Sequence, residues 1–559
     1  MTPSATTPGS APTDTVSAWA PLRNTLYRSL FVAQLVSNIG GWMQTVGAQW
    51  FLVERAASTT IIAAVQTASL LPTLLLALLA GALADALDRR VLLIVVGLGS
   101  LLTGGVLTAL AWTDTLSPWG LLACTFVLGC WSSLAAPAWQ AIQPELVPRE
   151  QIPAASALGG VTVNGARAIG PALAGVLVAV AGPTFVFAIN TLSFLATVGV
   201  LTRWKRPTRE PADRERLTES IVTGIRYIRS GPIVRRIILR SALFAFPASA
   251  LWALLPSATS SVLRLGSIGY GIVLGILGVG AVIGVAVTPI LRAHFGANSL
   301  LAGSAVAYSV GVAALASLPV WCVIPALMVS GIAWITTLTA LNASIQLSLA
   351  PWVRARGMSI YLLVFMGSQA VGSLAWGWLA SRIGIVDSLA IAVGALILVA
   401  ASVSVLPLRP ETGVLDRAAS MAWPTPTVVF EPVPEDGPIR VTITYRVTDD
   451  LRGQFIQSMS SVGLARRRTG AYSWNLFRSL DHGDMMIEQF VSPSWSQYRR
   501  QREERWTGSD HEAIDNAMKY VVGGSTTTEA HDVAVSLRAN KRSASSHDRS
   551  HVHDRGAVR

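Results

Sequence analysis

Gly81-Ala82-Leu83-Ala84-Asp85-Ala86-Leu87-Asp88-Arg89-Arg90 closes one long apolar stretch of the chain and opens the next. Displaced by 203 residues, Gly284 falls on Gly81 and Arg292 on Arg89. The same displacement sets Ile345-Gln346 on Ile142-Gln143, Leu349 on Leu146 and Pro351 on Pro148. A displacement of 202 aligns Gly367, Ala370, Gly372 and Gly377 with Gly165, Ala168, Gly170 and Gly175. Apolar segments share a small alphabet, so a single match would mean nothing. Three blocks in the same order, offset by one slip, point to a duplicated unit. Parallel repeats in a membrane chain imply two similar helical bundles with a cavity between them, the architecture of alternating access.

The composition agrees. Hydrophobic residues make up 52% of the 559 and charged residues 13%, too little charge for a soluble chain of this size. A helix needs about 20 apolar residues to span a bilayer. Twelve such runs are predicted, at 30–53, 59–83, 91–112, 118–140, 158–181, 184–203, 236–260, 268–291, 298–317, 320–346, 357–381 and 385–407. The fold class is therefore all-α membrane, two six-helix repeats, at 30–203 and 236–408, joined by a linker at 204–235. In that linker Leu217, Ile221, Ile225 and Ile228 recur at helical spacing and predict an amphipathic helix. Residues 1–29 read as a disordered N-terminal segment without a signal peptide.

Basic residues sort the loops. Arg89, Arg90, Arg149, Arg292, Arg354, Arg356 and the many arginines of 203–236 share one side, while Arg55, Arg264 and Arg382 face the other. Positive residues stay cytoplasmic, so both termini are expected inside. The net charge of +12 then needs no nucleic-acid partner. Cys124, Cys130 and Cys322 lie in apolar spans without ligand spacing, and no Walker loop is present, so neither a metal nor another cofactor is called for.

After Leu408 the composition changes. Residues 409–438 are rich in Pro and read as an extended linker. Ile439 to Val447 alternates as a half-buried strand, Leu451, Phe455, Met459 and Val462 recur at helical spacing, and Asp481-His482-Gly483-Asp484 joins two further strands. With helices at 495–506 and 511–521, the order β-α-β-β-α predicts a small α+β ferredoxin-like domain over 439–523. Residues 524–559 lack periodicity and are expected to be disordered.

Residues 30–407 resemble the major facilitator superfamily, whose loop signature between the second and third spans is similar to Gly81–Arg90. Ile39-Gly40-Gly41-Trp42-Met43-Gln44, Ala166-Arg167-Ala168-Ile169-Gly170-Pro171 and Gly224-Ile225-Arg226-Tyr227 resemble bacterial exporters of the transmembrane secretion effector group, which includes siderophore exporters. Tyr445-Arg446-Val447, the run Arg466–Trp474 and Ser494-Trp495 are similar to that group's cytoplasmic extension. The resemblance implies a multi-pass protein of the bacterial inner membrane that exports a small amphipathic siderophore, drug or metabolite by proton antiport, and is not an enzyme. A facilitator-type importer and a membrane-anchored enzyme or sensor working through the tail are the alternatives. In the tail Trp474, Asn475 and His482 are the notable side chains under the enzyme alternative, without an assigned role. Interaction or dimerisation is the expected role of that domain. Ala86 stands where the family signature usually has Arg, so an Asp85 gate would rely on Arg89 or Arg90.

The candidate sites follow. Arg167 lies inside an apolar span, where a charge costs at least ~2.5–3.5 kcal/mol unless it meets water or a partner. Roughly two turns in, it reads as a cavity cation or coupling group, or as a residue that snorkels to the interface or bonds a neighbouring helix. Gly170 and Pro171 beside it read as a gating hinge or as plain packing. Gln34, Asn38, Gly41 and Thr45 form a polar stripe on the first span, Ser133, Gln140 and Gln143 on the fourth, and Thr336, Thr339, Asn342 and Gln346 on the tenth. They read as cavity walls or as interhelical glue. Trp42, Trp131, Trp252 and Trp334 read as ring surface for a bulky ligand or as interior packing. Expected partners are thus a small-molecule substrate and membrane lipid.

Overall fold

The computed structural model describes residues 17, 19–142, 145–204, 217–410, 412, 415, 432–522 and 528–534. Gln143, the N-terminal segment through residue 16, the linker residues 205–216, most of the Pro-rich stretch and residues 535–559 lie outside them, as do the side chains of Asp85, Ala86, Leu217 and Ile221.

Each predicted span is one helix. The first six are α1 (Thr25–Glu54), α2 (Thr59–Ala86), α3 (Arg89–Trp112), α4 (Pro118–Ile142), α5 (Ile152–Ala181) and α6 (Pro183–Arg203). The linker helix α7 (Leu217–Ser230) follows, then α8 (Pro232–Ser261), α9 (Ser267–His294), α10 (Ala297–Ser317), α11 (Val320–Ser348), α12 (Arg354–Ile383) and α13 (Ile385–Ala401). Ten described helices are long and apolar enough to cross a membrane. The other two spans are α1, diluted by its polar stripe, and α13, of 17 residues.

Polar residues at the ends set where these helices start. Asn24 caps α1, accepting from the Leu26 and Tyr27 amides, and donates at 3.0 Å to the Leu146 carbonyl. Asp88 caps α3 through the Arg90 and Val91 amides. Two boundaries differ from expectation. α5 starts at Ile152 rather than 158, because Pro153 fits a first turn and the small residues after it continue the helix. The last span stops at Ala401 rather than 407. There the buried Arg240 of α8 donates to the Val399, Ser402 and Leu406 carbonyls, closing the end of α13.

By contact the chain forms two compact units. The first comprises 1–217, 236–345 and 358–410 and holds both repeats. Its core gathers Val46, Trp50, Ala174, Leu251, Leu254, Tyr270 and Leu327 from both repeats. The second unit comprises 218–235, 346–357 and 411–559. It therefore holds α7, the α11–α12 connection and the tail.

The tail is an α+β domain with strands β1 (Ile439–Arg446), β2 (Ser473–Arg478), β3 (Met485–Ser492) and β4 (Thr528–Val533), and helices α14 (Arg452–Thr469), α15 (Trp495–Glu503) and α16 (Gly508–Met518). The sheet is antiparallel in the order β2-β3-β1-β4, with Ile439 opposite Ser492 on one side and Val533 on the other. This is the ferredoxin-like topology. β4 falls beyond 523, inside the stretch expected to be disordered. Its sequence, Thr-Glu-Ala-His-Asp-Val, has no apolar alternation to mark an edge strand. Ile439, Val441, Ile443 and Tyr445 face the core with Phe455, Met459 and Trp495. Among them Glu488 is fully buried and accepts from Tyr445 Oη at 2.6 Å, Trp474 Nε1 at 2.9 Å and Arg466 Nε at 3.1 Å. Burial opposes the Arg466 charge, and the Glu488 carboxylate outweighs it, holding the guanidinium above its ordinary value. Trp474 is thus tied into a structural network, whereas Asn475 and His482 are exposed.

Candidate functional site

The seam between the repeats is built on bare backbone. A Cβ placed on Gly175 of α5 would lie 2.9 Å from the Gly271 Cα of α9, and one on Gly271 would lie 2.6 Å from the Pro171 carbonyl. Farther along, Gly278 meets the Arg167 carbonyl and the Ala168 Cα in the same way, at 2.8 and 2.9 Å. Only small residues permit this approach. Hydrogen bonds continue the seam between α2 and α12, from Thr67 to the Ala370 carbonyl at 2.8 Å and from Thr59 and Thr60 to the Gly377 carbonyl at 3.2 and 3.3 Å. Tyr270 Oη adds a 2.5 Å bond to Gln49 Oε1, its ring stacked on Trp50. These contacts run toward the end where α2 and α9 begin. Arg89, Arg90 and Arg292 mark the opposite end.

Arg167 stands in the middle of α5, fifteen residues after Ile152. At about 1.5 Å per residue that is roughly 22 Å along the helix, far beyond the two turns expected and too deep to snorkel. Its guanidinium lies 5.6 Å from the Trp42 ring of α1, and its enclosed Nε and Nη1 have no hydrogen-bond partner. Gly170, one turn on, brings Trp42 close: a Cβ there would lie 2.7 Å from the Trp42 Cβ. Trp42 also meets Trp252 of α8 at 6.0 Å, and Trp252 meets Trp334 of α11 at 5.7 Å, with Phe365 of α12 5.8 Å beyond. An aromatic chain therefore leads from the first repeat into the second. The repeat mate of Arg167, Gln369 of α12, is also buried with an unpartnered nitrogen, Nε2.

The α1 stripe extends from this point toward the basic end. Gln34 Nε2 donates to Asn38 Oδ1 at 2.8 Å, and Asn38 Nδ2 donates to Thr162 of α5 at 3.4 Å. Beyond them a small, partly open cleft is lined by Tyr27, Phe31, Gln34, Trp139, Gly159 and Thr162. Tyr27, Phe31, Gln34, Asn38 and Trp42 follow one another at helical spacing on one face. Gln140 is exposed at the end of α4, and Asn342 of α11 is half-buried with an unpartnered Oδ1. Gln346 is exposed and belongs to the second unit, so it is not grouped with the other candidates. Trp131 serves packing, its ring against Gly99 and its Nε1 bonded to Thr103 of α3. Thr336 bonds Thr288 of α9 at 2.9 Å and is interhelical glue.

The loop signature acts as a staple. Arg89 donates to Glu145 at 2.6 Å and to the Ala141 carbonyl at 3.1 Å, while Arg90 takes the Leu201 and Thr202 carbonyls that end α6. Arg292, the mate of Arg89, likewise bonds the Thr339 carbonyl of α11, the mate of α4. Glu145 was not foreseen, since one acid after a span carries no periodic signal. The Gly271, Gly275 and Gly278 stripe was legible as small residues at helical spacing.

A family model described as transmembrane secretion effector matches residues 16–540. Over 268 residues the chain is 29% identical to the staphyloferrin A transporter of Staphylococcus aureus, covering 48% of this chain and 67% of that protein. Over 247 residues it is 27% identical to the enterobactin exporter EntS of Salmonella choleraesuis, covering 43% and 58%. The matched stretches thus span only part of these relatives' own lengths. In fold it is similar to a variant of the nucleoside transporter NupG, at 13% identity and a TM-score of 0.59 over 68% of this chain and 100% of that one. It is also similar to a bacterial homolog of the human lysosomal transporter Spinster, at 14% and 0.55 over 69% and 97%. With a seam between two repeats, an intramembrane cation and a match over nearly its whole length, the chain belongs to the transmembrane secretion effectors of the major facilitator type, multi-pass membrane transporters rather than enzymes.

Proposed function

We propose that the protein exports a small, oxygen-rich, anionic molecule of the siderophore class from the cytoplasm by alternating access, driven by proton antiport. The observation that carries this reading is Arg167: a mid-membrane guanidinium with two unpartnered donors, on a tryptophan that leads into the second repeat. Such a charge is retained in a membrane for function. Planar guanidinium recognises carboxylate and related oxygen pairs through two parallel bonds. The aromatic chain Trp42, Trp252 and Trp334 would hold the apolar or ring portion of the substrate. The names of the relatives, a staphyloferrin A transporter and an enterobactin exporter, support the class.

In this reading the basic end is cytoplasmic by the distribution of arginine. The seam of Gly175, Gly271, Thr67 and Gly377 then closes the outer side, and the arrangement corresponds to an inward-facing state. Substrate enters past Gln34 and Asn38, engages Arg167, and leaves outward when the α5–α9 and α2–α12 contacts part. The test is uptake into everted vesicles, which present the cytoplasmic face. A pH gradient, acid inside, should drive accumulation of a hydroxycarboxylate or catecholate chelator, and an uncoupler should abolish it. Accumulation only in right-side-out vesicles would make the protein an importer.

A further inference from the structure

The second unit holds a set of contacts that a freely tethered tail would not make. α14 ends at Thr469 and Gly470, and its last carbonyls carry the negative end of the helix dipole. Arg226 of α7 donates to the Gly470 carbonyl at 2.6 Å, and Arg505 donates to the Thr469 carbonyl at 3.3 Å. Burial pushes the Arg226 guanidinium down from its ordinary value, the mark of a charge drawn into a contact. The Arg505 guanidinium lies 5.1 Å from the Trp352 ring, and Trp352 Nε1 donates at 3.2 Å to the Arg505 carbonyl. Trp352 meets Tyr227 edge-on at 5.6 Å. Tyr227, only 2% exposed, accepts from the Ala350 amide at 3.4 Å and lies 5.9 Å from the Arg468 guanidinium. Three separate pieces of chain, α7, the α11–α12 connection and the tail, thus share one buried centre.

We propose that this centre is a seat: the tail domain binds its own chain and holds α7 and the α11–α12 connection as one body, instead of hanging free or pairing with a second copy. Covalent continuity makes the consequence mechanical. Only Gly231 separates α7 from α8, and Arg354 starts α12 directly after Val353. α12 is also the helix whose Ala370 and Gly377 carbonyls bond α2 across the seam. A seated tail therefore restrains the first turn of α12, Arg354–Gly357, which lies in the same unit.

The test uses the full-length chain in lipid nanodiscs and hydrogen exchange, comparing wild type with Trp352→Ala and with Arg226→Ala. Both changes lie on the receiving side and leave the tail's own core intact. Amides at 470–472 and 505–507, and those of the first α12 turn at 354–358, should exchange at least about tenfold faster in the variants, the loss of one hydrogen bond with its ring contacts. The β3 amides should keep their protection. Unchanged rates at 470–472 in both variants would overturn the seat, and unchanged rates at 354–358 while the seat opens would overturn the restraint. Spin labels at Ile225→Cys and Leu480→Cys, both exposed positions, provide a second measurement with Cys124, Cys130 and Cys322 replaced. One narrow distance within a single chain is expected, whereas a broad distribution, or a distance found only between chains, would refute the proposal.

Discussion

Arg167→Met separates a functional charge from a structural one, because the two predict opposite signs of stability. The side chain makes no hydrogen bond through Nε or Nη1, so the substitution breaks none there. What it loses is the contact with the Trp42 ring, worth ~0.5–2 kcal/mol. What it gains is relief from holding a charge near mid-membrane, at least ~2.5–3.5 kcal/mol. Met fills a similar length without a polar group, so the variant should be more stable by roughly 0.5–3 kcal/mol. Transport should move the other way. A charge-assisted hydrogen bond to a substrate oxygen is worth ~1.5–3 kcal/mol, so apparent affinity should fall roughly 10- to 150-fold. Arg167→Lys keeps the charge but loses the fork, and should recover only part of that loss. The assay pairs thermal unfolding in nanodiscs with chelator uptake into everted vesicles. A variant that melts lower and still transports would show Arg167 to be a structural peg, and the reasoning would fail.

Other expectations can be checked with the same preparations. Gly170→Val should push against Trp42 at a cost of ~1–3 kcal/mol and reduce export, while Gly165→Ala, which meets open space, should be neutral; equal effects would remove the special role of Gly170. Arg89→Ala and Glu145→Gln should each impair transport, and the double variant should be no worse than the more damaging single one, with a coupling of about 1 kcal/mol for this half-buried pair. Additive losses would mean that the two act separately. Reporters fused at Pro211 and Pro438 should read cytoplasmic and one at Asp114 periplasmic; a periplasmic signal at Pro438 would break the orientation argument.

How much of this was legible in the sequence depends on the range over which each feature is written. Span positions are local sums of hydropathy, so each predicted span became a helix, and the displacement of 203 reappears as Arg89 and Arg292 bonding corresponding helices. The tail's topology was readable as far as strands alternated, and failed at β4, a mostly polar edge strand paired with β1 that packs Val533 against the core. The seat was hidden because it depends on helix ends and single residues, Gly470, Tyr227 and Trp352, brought together from three distant stretches. A Pro-rich connection suggested independence, but its composition does not say whether the domain after it binds elsewhere on the chain. Polar stripes were ambiguous for a related reason. A threonine that bonds its neighbour, such as Thr336, and an amide with an unpartnered oxygen, such as Asn342, look alike in sequence.

The duplication then explains why the two repeats are alike in scaffold and unlike in chemistry. Positions that build the seam must be small in both halves, because backbone meets backbone: Gly175 faces Gly271, and Gly377 meets Ala63. Arg167 and Gln369 occupy matched positions and share one property, buried nitrogen donors without partners, but differ in charge. A buried donor without a protein partner costs about 1–3 kcal/mol and a charge more, a cost that helix packing alone does not explain. On the proposed reading, donors at matched positions of both halves and a charge at one of them would give the substrate path an acceptor-seeking wall with its cation in the first repeat. That asymmetry would orient an anionic substrate toward the first repeat, with its ring portion along Trp252 and Trp334 in the second.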